Sequence, residues 1–383
     1  MGVVYPEQDV ALGNVPAADG TDHLQAARLF FDSLTNTGTP TYGNVRVMLL
    51  GSVVTGRSTR RSDLDYFLVR TPLEGEEGVR QQLHIASAAN ATRNRYHVRL
   101  EGQQFTERYI ARNGHNIGDP LWLAHVADIQ DNHPGWTHGQ PIDQLRPYAI
   151  DIRQDLDEPD QRSRLAQSIL QYFGHKINIF EEAGDFNQER SSDLHLLQRA
   201  LEAGKAYARK GIAVMALEGV AVGEADVTDK ASMREHAEAI LDRIDQTGQL
   251  RKTTEVINDL DQEYDHVLDE ALSSGSTDVY QRWLSSNYLR ACAAALRLAY
   301  GYFDYIEDVT WQDDSIVLDR IGDSYADHSM QDSSGEPLEE GSYQAPINPI
   351  LINLEVDQLD VLIGDPAPRE DIPELPTRVL SSV

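Results

Sequence analysis

Asp63 and Asp65 carry the first chemistry legible in this chain. Alternate residues of a strand point to one face, so carboxylates two positions apart stand side by side. A divalent cation relieves their repulsion. Mg²⁺, with Mn²⁺ an acceptable substitute, takes such carboxylates together with the phosphate oxygens of a nucleoside triphosphate. Upstream, Gly51-Ser52 ends the apolar run Val45 to Leu50. A glycine there lets a phosphate approach the backbone, and a helix starting there aims N–H groups at it. Arg57, with Arg60 and Arg61, adds positive charge that suits either a triphosphate or neighbouring acids.

The elements that must position these groups follow from the pattern. Val45 to Leu50 reads as a buried strand, Val53 to Arg60 is long enough for two helical turns, and Leu64 to Val69 is rich in aromatic and branched residues. Strand, turn, short helix and strand therefore bring a phosphate cradle and a pair of acids close together.

Gly51-Ser52, Gly56 and Ser62-Asp63-Leu64-Asp65, in that setting, resemble the Gly-Ser … Asp-x-Asp signature of the DNA polymerase β-like nucleotidyltransferases. The resemblance implies an α+β chain in which a small mixed β-sheet nucleotidyltransferase domain, with helices on one side, is followed by an α-helical domain closing the cleft. It implies nucleotide binding by Gly51, Ser52, Arg57 and Ser62, and Mg²⁺ binding by Asp63 and Asp65. It further implies a third carboxylate on a following strand, which helps hold the metal and takes the proton of the attacking hydroxyl. Tyr96 to Phe105 alternates as such a strand, and Glu101 is its best-placed acid, with Asp119 and Glu107 next. Alternation places His97 and Arg99 on the face of Glu101, where a solvated polar face is the simpler reading. Lys205, in a helical stretch, is a candidate for the triphosphate-binding lysine that the resemblance implies, with an ordinary surface lysine as the alternative.

Composition bounds the function. The chain has 383 residues, 62 acids and 33 bases, for a formal charge of −29. Five bases are lysines and 28 are arginines. An apolar fraction of 40% argues against disorder, so the acids coat the surface. Acid-rich, lysine-poor surfaces suit high salt, which implies a cytoplasmic protein of a halophile. The charge disfavours nucleic acid as a partner without excluding it. The single cysteine, Cys292, sits in an apolar stretch and reads as a small buried group. No signal peptide opens the chain, and no apolar run reaches the ~20 residues needed to span a bilayer. Zinc, dinucleotide and P-loop motifs are missing, as is the elbow of a serine hydrolase.

Along the chain, a helix is expected over 23–35, another over 74–90, and a helix-to-strand transition over 120–131. Residues 1–150 form the expected catalytic domain. A charged boundary follows at 151–160, and 151–310 is α-helical, with segments at 162–183, 194–216, 230–247, 252–272 and 279–306. Residues 311–383 are acidic and proline-rich, a loop-like tail with one short apolar element near Ile350 to Leu354.

The function this implies is Mg²⁺-dependent transfer of an NMP from an NTP, ATP being the expected one, to a hydroxyl of a small molecule or protein, with release of pyrophosphate. The alternatives are a template-independent RNA or tRNA nucleotidyltransferase, which needs a basic groove, and a non-catalytic nucleotide-binding scaffold, which does not need Asp63 and Asp65.

Overall fold

The computed structural model describes residues 21–35, 45–56, 58–59, 62–71, 73–98, 100–113, 120–139, 143–153, 156, 158–184, 194–220, 222, 238–245, 247–276, 278–313, 359–360 and 363–364. Among them the fold is mixed α+β and mostly helical, with one four-stranded sheet. Contacts divide the chain into two compact units, Met1–Tyr172, Ala213–Glu224 and Ile306–Pro349 in the first, and Phe173–Ile212, Ala225–Tyr305 and Ile350–Val383 in the second.

The sheet of the first unit has the order β3-β2-β1-β4. β1 (Val45–Leu49) and β2 (Leu64–Arg70) are antiparallel, with Leu49 opposite Tyr66. β3 (Leu100–Thr106) runs parallel to β2, and the short β4 (Thr137–His138) pairs antiparallel with β1. A parallel neighbour requires a long crossover. α3 (Gly75–Tyr96) supplies it between β2 and β3.

Both faces of the sheet are covered, which corrects the expectation of helices on one side. α1 (Thr21–Thr35) buries His23, Ala26, Ala27, Phe30 and Leu34, spaced three and four apart as one helical stripe requires. Phe30 meets Tyr66 on the first face, with ring centroids 4.9 Å apart. On the second face Phe67 lies 5.4 Å from Phe105 and 5.2 Å from Trp122 of α5 (Pro120–Asn132). Phe105 in turn stacks on Tyr109 of α4 (Glu107–Asn113). Burial on two faces explains why β1 and β2 read as nearly continuous apolar runs rather than alternating ones.

Three boundaries also differ from the sequence reading. α2 closes after a single turn, Gly51–Val54, because Thr55 caps it and Gly56 turns the chain at φ 68°. α3 runs on to Tyr96 and stops at His97, which takes the left-handed conformation (φ 55°) and donates its N–H to the Arg93 carbonyl at 2.8 Å. The alternation from Tyr96 therefore belongs to a helix end, and the strand starts at Leu100. Finally, 120–131 is one helix. Asp128 lies on it and accepts from Asn132 Nδ2 at 2.8 Å, and the strand comes later as β4.

The helical segments expected beyond residue 158 are present where residues are described. They are α6 (Pro159–Gly184), α7 (Leu194–Leu217), a helical segment at 238–244, α8 (Gln249–Ser274) and α9 (Asp278–Gln312). In the second unit Phe173, Tyr207 and Tyr302 are buried together, with centroids 5.1–6.0 Å apart. Cys292 is buried among alanines of α9, as expected of a small apolar group. Part of the acidic tail is docked: Leu359 and Ile363 are buried, and Arg290 Nε donates to the Ile363 carbonyl at 3.0 Å. The apolar element expected near Ile350 to Leu354 lies outside the described residues. Among the described residues no helix is long and apolar enough to cross a membrane.

Candidate metal and nucleotide site

The β1–β2 pair ends where Leu50 donates its N–H to the Asp65 carbonyl at 2.9 Å. Gly51 follows with φ 73°, a conformation that side-chain-bearing residues rarely adopt. The turn lies directly against Asp65. A Cβ on Gly51 would overlap Asp65 Oδ2 and stand 3.2 Å from its Cγ. The backbone of the Gly51-Ser52 turn and one carboxylate of the pair therefore share a single small space.

Asp63 precedes β2 at a turn organised by Ser62. The Ser62 N–H donates to the Thr59 carbonyl at 3.0 Å, and the Thr59 N–H donates to Ser62 Oγ at 2.9 Å. The Ser62 carbonyl accepts from Nε2 of His23 at 2.5 Å, a bond from the first turn of α1. His23 is fully buried, and its Nδ1 has no hydrogen-bond partner among the described residues. Burial pushes the imidazole below its ordinary pKa, while the bond to Ser62 and the charges of Asp22 and Asp63 offset part of that effect. Sequence reasoning missed this residue. The available signal was its position on the apolar stripe of α1, where a polar side chain is out of place.

On the other side of β2, Asp65 is in register with Glu101 across the parallel β2–β3 pair. In-register positions of neighbouring strands share a face. Position 101 thus stands beside Asp65, where the resemblance expects a third carboxylate, although the Glu101 side chain lies outside the described residues. Glu107 sits elsewhere. It follows Thr106, the partner of Arg70, at the other end of the ladder, which lies about 17 Å along the strands from position 65. There its carboxylate accepts from the Arg46 guanidinium and from Thr71 Oγ1. Asp119, Arg57, Arg60 and Arg61 lie outside the described residues. Among the described residues no group of three or more His, Cys, Asp or Glu side chains is placed to hold a metal ion.

Carboxylates suit a hard divalent cation, and of the two aspartates the structure sets the Asp65 carboxylate directly against the Gly51 turn, while Asp63 enters just before β2. The one-turn helix leaves little dipole for a phosphate. Any anion binding at Gly51-Ser52 therefore rests on the local backbone of the turn. Lys205 belongs to the second unit, where its Nζ is 3.0 Å from Asp261 Oδ2, an ion pair joining α7 to α8. Asp261 is buried and Lys205 is half-exposed, so this lysine has a structural duty of its own.

Two glycines of the turn separate backbone strain from site geometry. Gly51 and Gly56 both have positive φ, but a Cβ on Gly56 meets nothing within 4 Å. Each Gly→Ala change should cost about 1 kcal/mol from backbone conformation. Gly51→Ala should in addition displace the Asp65 carboxylate and, on the expectation of nucleotidyl transfer, lower turnover by more than about tenfold, a loss of about 1.4 kcal/mol in transition-state stabilisation. Melting curves and rates on both variants check this; equal rates would remove the Gly51–Asp65 contact from the site.

Compared with protein-family profiles, with characterised protein sequences and with solved structures, the chain shows no significant match.

Proposed function

We propose that the chain is a metal-dependent nucleotidyltransferase acting on a hydroxyl of a small molecule or protein. The observation that carries this reading is the convergence at the start of β2 of the Gly51 turn, Asp65 and the register position of Glu101. Asp63 and Asp65 would hold the divalent ion. When bound, that ion neutralises charge on the triphosphate and favours ionisation of the acceptor hydroxyl. The backbone of Gly51-Ser52 supports phosphate oxygens, with Ser62 shaping the turn beside them and Arg57 adding charge. The acceptor oxygen forms a bond to the α-phosphorus in line, the bond from that phosphorus to the bridging oxygen breaks, and pyrophosphate leaves. Glu101 takes the acceptor proton. Catalysis is positioning and charge neutralisation, with no covalent enzyme intermediate.

Incubation with each α-³²P-labelled nucleoside triphosphate, Mg²⁺ and a cell extract tests the reading. One nucleotide is expected to label a small molecule or protein as pyrophosphate appears. Label that ribonuclease removes would indicate an RNA acceptor instead. Absence of transfer from all four nucleotides, with pyrophosphate at background, would refute the proposal.

A further inference from the structure

We infer that His23 is a positioning residue for the aspartate pair, its Nε2–H bond to the Ser62 carbonyl holding the Ser62–Asp63 peptide in the orientation that presents Asp63 to a divalent cation. This rests on reading Asp63 and Asp65 as metal ligands. The first ladder pair on this side of β2 is Leu64 with Leu100, so Ser62 and Asp63 enter the site before the sheet takes hold of the chain. A peptide unit is planar, and the plane that contains the Ser62 oxygen also contains the nitrogen and Cα of Asp63. Holding that oxygen therefore holds the Asp63 Cα. Thr59 secures Ser62 through its N–H and hydroxyl, and His23 secures the carbonyl from α1, 39 residues away in sequence.

The chemistry of the bond assigns the tautomer. A carbonyl only accepts, so Nε2 carries the proton and Nδ1 carries a lone pair, buried without a partner among the described residues. For packing alone this is a poor choice. The position lies on the stripe that buries Ala26, Ala27, Phe30 and Leu34, where an apolar ring would leave no polar atom unsatisfied. A local rule broken at a contact that reaches the carbonyl of the residue before Asp63 indicates a task other than packing. Groups that orient metal ligands without touching the metal typically change its affinity 10- to 100-fold when removed.

The test measures Mn²⁺ binding to the full chain in 1 M KCl by the electron paramagnetic resonance of free Mn²⁺. The binding component lost in Asp65→Asn defines the site against the many surface acids. His23→Phe, which keeps the ring and loses the donor, is expected to weaken that component about tenfold, with a melting temperature within about 3 °C of the wild type. His23→Gln, whose amide N–H can reach the same carbonyl, should restore binding to within about threefold. His23→Phe binding Mn²⁺ like the wild type would overturn the role of His23 and leave the aspartate reading standing. Wild-type protein with no component sensitive to Asp65→Asn would overturn both. Should His23→Phe not fold, the wild-type imidazole decides. Long-range ¹H–¹⁵N spectra must show a neutral ring protonated on Nε2, and a ring protonated on Nδ1 refutes the assignment.

Discussion

Asp65→Asn protein is expected to melt like the wild type and to transfer nucleotides about a thousandfold more slowly, or not measurably. The substitution keeps the shape of the side chain and removes half the formal charge of the pair that would hold the ion. Charge stabilisation of this kind is worth several kcal/mol in a transition state, and each 1.4 kcal/mol is a factor of about ten in rate. The effect on stability should stay within about 1 kcal/mol, since Asp65 is only partly buried and its backbone bond from Leu50 is unaffected. Asp63→Asn should behave alike. Rates with Mg²⁺ and thermal melts on the same preparations separate loss of chemistry from loss of fold. An Asp65→Asn enzyme turning over at the wild-type rate would end the nucleotidyltransferase reading.

The protein should also gain much of its stability from salt. Its formal charge of −29 is spread over the whole sequence. For a charge of this size on compact folded units, self-repulsion falls by on the order of 10 kcal/mol when the Debye length shortens from ~10 Å at 0.1 M salt to ~3 Å at 1 M. The expanded unfolded chain keeps part of that repulsion, so the net gain on folding is several kcal/mol. A rise in melting temperature of about 10 °C or more between 0.1 and 1 M KCl is expected. Melts followed by circular dichroism measure it directly. A melting temperature that stayed level across that range would reject a surface adapted to high salt.

How much of this was legible beforehand depends on the range over which each feature is encoded. The strands at Val45 and Leu64, the turn between them and the long helices after residue 158 are written in local hydrophobic pattern, and the structure has them. The expectation that Asp63 and Asp65 share one face rested on the twofold repeat of a strand, but β2 begins at Leu64, so Asp63 stands before it at the Ser62 turn. Helix ends were less legible. The extension of α3 through Tyr96 depends on His97 accepting a left-handed conformation, which no periodicity announces. Likewise, 120–131 reads as a helix passing into a strand, yet packing of Leu123, Val126 and Ile129 keeps it helical throughout.

The sequence by itself picked out Gly51, Asp63 and Asp65 as the candidates for chemistry and set the charge behind the expected salt response, because these depend only on composition and on spacing over a few residues. Tertiary structure alone decided which of the remaining acids stands beside them. The parallel register of β2 with β3 puts position 101 next to Asp65 and sends Glu107 to the far end of the sheet, into the reach of Arg46 and Thr71. It also decided that His23 clamps Ser62 and that Lys205 answers Asp261. Contacts between residues tens of positions apart follow from how helices and strands pack, and nothing in the local spacing of either partner specifies the other.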